Sequence, residues 1–124
     1  MSTEFSDLDS SIDSHLGYQI RRVSNLAMTK LAEALLPLEL RVVDVTVLYQ
    51  IAENPDITAS EIGKALGIRR ANMTPLIAAL IERGYLNTRA KDGRSQALSL
   101  APAGRRIFKR AQKIVEAQEQ GFHG

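Results

Sequence analysis

The side chains of this sequence that are best placed for chemistry are cations, and they concentrate in two short stretches. Arg69 and Arg70 stand side by side at the start of an apolar helical pattern. Three more cations surround the turn signal Asp92-Gly93, namely Arg89, Lys91 and Arg94. Positive charge gathered on two protruding elements of a small domain attracts phosphate. The chemistry that these residues indicate is the binding of a polyanion.

The distribution of charge along the chain supports this interpretation. The 124 residues have a net charge of only +2, but residues 64–113 contain twelve Lys or Arg against two acids, a net charge of +10. The remaining residues therefore carry −8, and residues 1–14 hold four acids and no base. An ordinary solvated surface interleaves the two signs. Segregation of this strength favours one side of the protein that faces a polyanion.

Other classes of function find little support in the sequence. It contains no grouping of a nucleophile with a base, no glycine-rich phosphate loop and no H-E-x-x-H, so we expect neither an enzyme nor a cofactor. The two histidines, His15 and His123, are far apart and predict no metal site. Cysteine is absent. No apolar run approaches the ~20 residues of a membrane helix and no secretory signal is visible, so we expect a cytoplasmic protein without a membrane partner.

Two helices are predicted in the first half of the chain. Residues 1–12 are rich in Ser and Asp and are interpreted as a mobile acidic arm, with partner binding as the alternative. Apolar residues then recur at three- and four-residue steps over about 13–36, until Pro37. This stripe would pack on its own domain or on a second subunit. A second helix is predicted over 39–53 with Glu39 at its acidic start, although its β-branched residues leave a strand open.

A helix-turn-helix pattern and a hairpin follow. Thr58 and Glu61 have the spacing of a capping box, and Gly67 suits the left-handed end of the short helix that they begin. That helix is expected to bury Ile62, Ala65 and Leu66. A second helix is predicted over roughly 70–83, with Met73, Ile77 and Leu80 facing the core. Two strand-like runs, Leu86–Ala90 and Ser95–Leu100, then flank the Asp92-Gly93 turn, and Pro102 suits the first turn of a last helix.

The order of these motifs resembles that of MarR-family transcriptional regulators. The resemblance covers about residues 13–120. It begins with Leu16-Gly17-Tyr18 near the start of the first helix and Leu48-Tyr49-Gln50-Ile51-Ala52 at the end of the second. It continues through Ser60-Glu61-Ile62-Gly63-Lys64-Ala65-Leu66-Gly67-Ile68, Leu80-Ile81-Glu82-Arg83-Gly84-Tyr85-Leu86, Arg89, Asp92-Gly93-Arg94-Ser95 and Leu100-Ala101-Pro102-Ala103-Gly104-Arg105. It implies a mainly α protein with a small β-hairpin wing, a winged helix-turn-helix. The dimerisation helices would span about 13–36 and 102–120, and the DNA-binding lobe about 39–100.

The resemblance also implies a function. Members of the family bind pseudo-palindromic double-stranded DNA as homodimers, usually repress transcription, and are often released by a small ligand. The alternative that the residues leave open is a winged-helix protein-interaction module that does not bind DNA. Clustered charge at Arg69 and Arg70 argues against that alternative, because an interaction module has no need for it.

The resemblance assigns roles to the cations. Arg94 would enter the minor groove from the wing tip, with its guanidinium held by Asp92 and with Ser95 beside it. Arg89 and Lys91 would contact phosphates. The helix predicted over roughly 70–83 is here called the recognition helix. Its N-terminal end would contact bases in the major groove through Arg69, Arg70, Asn72, Thr74 and Pro75. Two alternatives stay open, namely that the arginines contact only phosphates and that Asn72 serves only as a helix cap.

Two further sets of residues are weaker candidates. Thr58, Ser60 and Lys64 would contact the DNA backbone where the first helix of the motif crosses it, or act only as a cap and surface residues. A cleft between the dimerisation helices and the winged lobe would bind a small aromatic or carboxylate effector. Its candidates are His15, Tyr18, Arg22 and Tyr49, with Arg22 pairing the carboxylate. The alternative is a core tyrosine among surface charges.

The chain departs from the family pattern at three points. Ala101 stands where a Thr or Ser cap is usual. Pro75 lies inside the recognition helix, where its cost would largely vanish if Asn72 were the N-cap; we therefore expect the helix to start late or to be distorted. The chain ends at Phe122-His123-Gly124, where the family continues into another helix. We therefore expect either a shortened chain or a dimer that is built differently and held less strongly.

Overall fold

The computed structural model describes residues 19, 22 and 25–123, without the side chains of 121–123. Residues 25–35 are helical (α1) and lead into a single 3₁₀ turn, Leu36–Leu38. The elements that follow are α2 (Val42–Glu53), α3 (Ala59–Leu66), α4 (Arg70–Glu82), β1 (Leu86–Ala90), β2 (Gln96–Leu100) and α5 (Pro102–His123). The predicted fold class, mainly α with one β-hairpin wing, is confirmed. The acidic arm at 1–12 and the first residues of the predicted first helix lie outside the described residues.

The second helix begins later than predicted. Glu39 has a φ of 55°, and its N–H donates to the carbonyl of Leu36, so it closes the 3₁₀ turn and cannot begin a helix. Arg41 is extended and precedes α2, and its N–H donates to the carboxylate of Asp44 at 2.8 Å. The acid that caps α2 is therefore Asp44, and the prediction for Glu39 is wrong. The open strand alternative is also wrong.

The capping box before α3 is confirmed. The Thr58 N–H donates to the Glu61 carboxylate at 3.0 Å, and the Glu61 N–H donates back to the Thr58 hydroxyl at 3.2 Å. Gly67 ends α3 with a φ of 69°, as expected for a left-handed cap. Ile62 is buried and Leu66 is half-buried, but Ala65 is exposed, so its predicted burial is wrong. An eight-residue helix has room for only a narrow buried stripe.

The recognition helix α4 begins without delay. Arg69 is extended and precedes it, and the N–H groups of Asn72 and Met73 both donate to the Arg69 carbonyl. Asn72 is therefore the third helical residue and not the N-cap, and the predicted late start is wrong. Pro75 lies in the second turn, where proline costs roughly 3 kcal/mol. The helix survives because its buried face is complete, with Met73, Leu76, Ile77 and Leu80 all in the core.

The wing is a two-stranded antiparallel sheet joined to a short third segment. Its register runs from Leu86 opposite Leu100 to Ala90 opposite Gln96. On the other side of β2, Thr58 pairs with Ala97, and the Leu98 N–H donates to the Ile57 carbonyl at 2.8 Å. The residues just before α3 therefore run beside the wing. This contact fixes the position of the hairpin relative to the helix-turn-helix.

One apolar core connects the lobe to the terminal helices. Leu35 of α1, Leu48 of α2 and Ile62 of α3 each have 0% exposure. From α5, Ile107 and Ala111 join the same core, and Ile114 and Val115 pack against it. The apolar side predicted for the last helix is confirmed. The helix also starts at Pro102 as expected and runs to His123, slightly beyond the predicted end near 120.

Candidate nucleic-acid interface

One open groove brings together the predicted cations of three separate segments. It lies between α3, the start of α4 and the wing, and we call it the wing-side groove. The polar and charged residues that line it are Thr58, Ser60, Lys64, Arg69, Arg70, Thr74, Arg94, Ser95 and Gln96. Lys64, Arg69, Arg70 and Arg94 are all exposed. Because no acid is found among the described residues that line the groove, the charge that they carry is only positive, and a polyanion is the ligand that this field favours.

The recognition helix divides its predicted contact residues between two sides. Thr74 lines the wing-side groove together with Arg69 and Arg70. Asn72 and Pro75 instead line a second groove between α4 and the start of α2, which we call the α2-side groove. All five residues are exposed. The Thr74 hydroxyl donates to the Arg70 carbonyl at 3.2 Å, so its hydrogen is already used within the helix.

The wing tip carries Arg94 without the predicted support of Asp92. The tip is closed by main-chain bonds, from the Ser95 N–H to the Asp92 carbonyl at 2.7 Å and from the Lys91 N–H to the Ser95 carbonyl at 3.1 Å. Among the described residues, no ion pair joins Asp92 to Arg94, so that prediction is wrong. An exposed ion pair stabilises by less than about 1 kcal/mol, which is too little to hold the flexible Arg94 side chain against Asp92. Arg94 instead lines the wing-side groove.

Arg89 and Lys91 are engaged with acids beside the wing. Arg89 forms a 2.6 Å ion pair with Asp56, in the loop before α3. Lys91 donates to the Asp56 carbonyl at 3.0 Å and lies 3.6 Å from the Glu61 carboxylate. Asp56 has a φ of 62°, which is unusual for a residue other than glycine. The two predicted phosphate contacts therefore have internal partners with which phosphate must compete.

The first helix of the motif offers two candidates rather than three. The Thr58 side chain is buried and occupied by the capping box, so the cap is its role in the structure. Its partner Glu61 has a lowered pKa, because the Thr58 backbone N–H and hydroxyl hydrogen-bond to it and Lys91 lies nearby. Ser60 and Lys64 are exposed at the groove and stay candidates for backbone contacts.

The predicted effector cleft is described only in part. His15 and Tyr18 lie outside the described residues, and Arg22 is exposed. Tyr49 is half-buried and meets the ring of Phe108 edge to face, with centroids 4.8 Å apart. Burial raises the pKa of Tyr49, and the nearby charges of Glu116, Glu119 and Glu53 raise it further. Those three acids make the surroundings of Tyr49 unfavourable for a carboxylate.

Two arginines with defined positions escaped the sequence analysis. Arg83 donates to the carbonyls of Glu39 at 2.7 Å and Leu38 at 3.2 Å, and its guanidinium lies 4.9 Å from the Tyr85 ring centroid. It thereby ties the end of α4 to the 3₁₀ turn after α1. Arg41 lines the α2-side groove. The spacing of Arg41 and Asp44 is typical of a helix start and could have identified Arg41. The sequence instead predicts that α2 begins at Glu39. Nothing local marks Arg83.

No helix in the described part of the chain combines the length and the apolar composition that crossing a membrane requires. Within the same residues, no three His, Asp or Glu side chains gather in a way that could hold a metal ion. His15 lies outside this part of the chain, and the side chain of His123 is not described.

Comparison with known proteins places the chain among transcriptional regulators. The HTH-type transcriptional repressor Rv2887 of Mycobacterium tuberculosis (strain ATCC 25618 / H37Rv) is 27% identical over 109 residues, which cover 86% of this chain and 78% of that protein. The transcriptional repressor CouR bound to a 23-mer DNA duplex has a TM-score of 0.80 at 28% identity, covering 89% of this chain and 79% of that one. Rv2887 in complex with p-aminosalicylic acid has a TM-score of 0.70 at 26% identity, with 85% and 81% covered.

The similarity extends to the segment that contains the candidate interface. A sequence model described as MarR family matches residues 38–95, which run from the 3₁₀ turn before α2 to the wing tip. This range contains every cation that lines the wing-side groove. The proteins with which the chain aligns are transcriptional regulators rather than enzymes. Over this segment the chain is similar to MarR-family regulators.

Proposed function

We propose that this protein is a transcriptional repressor that binds a pseudo-palindromic DNA duplex as a homodimer and responds to a small ligand. The observation that carries the proposal is the wing-side groove, where cations from α3, α4 and the wing surround one space and no described lining residue is an acid. The structural relative CouR, which shares 28% of its residues with this chain, has been solved on a 23-mer DNA duplex.

The recognition helix would lie in the major groove. Arginine contacts guanine through two hydrogen bonds, and asparagine does the same with adenine. Arg70 and Asn72, at the first turn of α4, are the candidates for these contacts. The Asn72 side chain is not a helix cap, which removes one reason for its presence. The methyl of Thr74 and the ring of Pro75 would meet thymine methyl groups.

The wing would lie over the adjacent minor groove. Arg94 would enter it, and Ser95 would accompany it at the tip; narrow A·T-rich minor grooves concentrate negative potential that attracts arginine. Lys64, Ser60 and Arg69 would contact the backbone and set the orientation, because phosphate contacts position a protein without specifying sequence. Arg89 and Lys91 would add contacts only after exchanging Asp56 and Glu61 for phosphate.

Two copies of the lobe would be joined by the terminal helices. Leu26 and Met28 of α1 are 51% and 49% exposed, large apolar side chains that a second subunit would cover. The two recognition helices would then enter successive major grooves about 34 Å apart. Rv2887 has been solved with p-aminosalicylic acid. The acids around Tyr49 favour a neutral or cationic effector near that residue, and a carboxylate would have to lie nearer Arg22.

Duplex binding across a salt series tests the proposal. When binding releases counterions, the logarithm of the binding constant falls linearly with the logarithm of the salt concentration, with a slope of about 0.9 for each phosphate neutralised. We expect a steep slope for the wild type. Arg70→Gln should weaken the free energy of binding to the specific DNA site, the operator, by about 1–3 kcal/mol and relax the base preference at one position of that site. Arg94→Ala should weaken binding most on A·T-rich flanks. A flat salt dependence would exclude DNA as the ligand and leave a protein-interaction module.

A further inference from the structure

The α2-side groove is a feature of this molecule that the proposed contacts do not use fully. It runs along the side of the recognition helix that faces away from the wing. The residues that line it are Arg41, Val43, Ile68, Asn72, Pro75 and Leu76. Arg41 is the only charged member of this set, and it lies directly before the first residue of α2.

The guanidinium of Arg41 is held in place by a buried acid. Its Nε and Nη2 atoms donate to the two carboxylate oxygens of Asp44 at 3.3 Å and 3.2 Å. The exposure of the two side chains is very unequal, 68% for Arg41 and 7% for Asp44. The pair is therefore oriented, with its negative end inside the protein and its positive end at the surface. A guanidinium has five N–H donors, so about three remain free for a ligand outside.

The dimensions of DNA indicate what that ligand is. A helix is about 10–12 Å wide and fills a major groove of about 12 Å, so a phosphate backbone runs along each side of a docked helix. On one side of α4 stand Lys64 and Arg94, in the wing-side groove. On the other side, among the residues that line the α2-side groove, stands Arg41.

We propose that Arg41 binds a backbone phosphate of duplex DNA on the side of the recognition helix opposite the wing, and that Asp44 positions its guanidinium for that contact. The recognition helix would then be held from both walls of the major groove. Arg41 would fix how deeply α4 lies and would bring Asn72, its neighbour in the groove, to the base edges. This inference rests on the proposed function and adds a contact that the sequence did not predict.

The test measures the salt dependence of DNA binding in three variants. Arg41→Gln removes the contact but leaves the buried Asp44 carboxylate without its partner. The double variant Arg41→Gln/Asp44→Asn removes both charges, so it keeps the net charge of the wild type and can keep the hydrogen bond that caps α2. Lys113→Gln, at an exposed position of α5 outside both grooves, removes one positive charge elsewhere.

A phosphate contact predicts a specific result. The slope of log affinity against log salt should fall by about 1 in both Arg41 variants and should stay unchanged in Lys113→Gln. Because one lost contact makes binding less sensitive to salt, the deficit of the Arg41 variants should shrink about 3-fold between 50 and 200 mM salt. The weakening should be equal on operator and unrelated duplexes, since a phosphate carries no sequence information.

Two outcomes would overturn the inference while leaving the proposed function intact. One is an unchanged slope in both Arg41 variants when Arg94→Ala still weakens binding. The other is a loss in Arg41→Gln that the double variant restores, which would mean that net charge or the stability of α2 is responsible. If the wild type shows no salt-dependent binding to any duplex, the proposed function fails, and this inference fails with it.

Discussion

Replacing Gly104 by alanine should destabilise the protein although it adds a better helix former. Gly104 lies in the first turn of α5, where the helix backbone passes directly over Tyr85. A Cβ atom at this position would overlap the Tyr85 carbonyl oxygen and lie 2.9 Å from its carbonyl carbon, closer than the 3.0 Å that real Cβ atoms essentially never cross. The contact is with backbone, so no side chain can rotate away to relieve it.

The expected magnitude follows from three opposing effects. Overpacking of this kind typically costs about 1–3 kcal/mol. The Tyr85 carbonyl also accepts the Ala101 N–H at 2.9 Å, and a shift of Tyr85 would weaken that bond by about 1 kcal/mol. Alanine returns about 1 kcal/mol of helix propensity. We expect a net loss of about 1–3 kcal/mol, which corresponds to a melting temperature roughly 5–15 °C lower for a chain of this length.

Urea unfolding followed by circular dichroism measures this effect, at one protein concentration because dimerisation would make the midpoint depend on it. Ala117→Gly, at an exposed position of the same helix, serves as the control for helix propensity. It should lower the free energy of unfolding by about 1 kcal/mol. If Gly104→Ala unfolds at the same or a higher urea concentration than the wild type, helix propensity dominates. The close approach of α5 to Tyr85 would then not exist in solution.

Three further predictions concern single side chains. Ile62→Ala, at a position with 0% exposure, should lower the free energy of unfolding by about 2–5 kcal/mol, against less than about 1 for Ile81→Ala at 39% exposure; equal losses would contradict the core assignment. The pKa of Glu61 is lowered by its cap bonds, so the stability that Glu61 adds over Glu61→Gln should be complete above its ordinary pKa of 4.5 and disappear as the pH falls through the lower pKa of the folded state. Urea unfolding midpoints of the two proteins, measured from about pH 3 to about pH 6, test this, and a difference that does not change with pH would be inconsistent with it. Asp56→Asn should release Arg89 for phosphate, with tighter duplex binding and a salt slope steeper by about 1, whereas an unchanged slope would mean that Arg89 does not reach DNA.

Much of the fold was predictable because its signals are local. The capping box at Thr58 depends only on residues within one helical turn, and so does the left-handed cap at Gly67. Both predictions are confirmed. The spacing of Met73, Ile77 and Leu80 also reports directly on which face of a helix is apolar. These signals depend on residues that are close in the sequence, so tertiary contacts changed them little.

The errors arose where two local signals compete. Glu39 resembles an acidic helix start, but the 3₁₀ turn at Leu36–Leu38 leaves it in a left-handed conformation and moves the start of α2 to Val42. Pro75 suggested a late start for α4, but the apolar face of that helix was already committed to the core from Met73 onward. At Pro75 the burial of a whole helix face decided the boundary, because its free energy exceeds that of a single lost hydrogen bond.

The sequence by itself determined the order of the elements, the resemblance to MarR-family regulators and the cations available for a polyanion, because each depends on residue type and spacing. Only the tertiary structure decided which charges are partners. Asp56 meets Arg89 across 33 residues of sequence, whereas Asp92 and Arg94, two residues apart, do not pair. It also placed Arg41 beside the recognition helix. Ion pairing depends on distance in space, and folding sets that distance through the packing of segments that are remote in the chain.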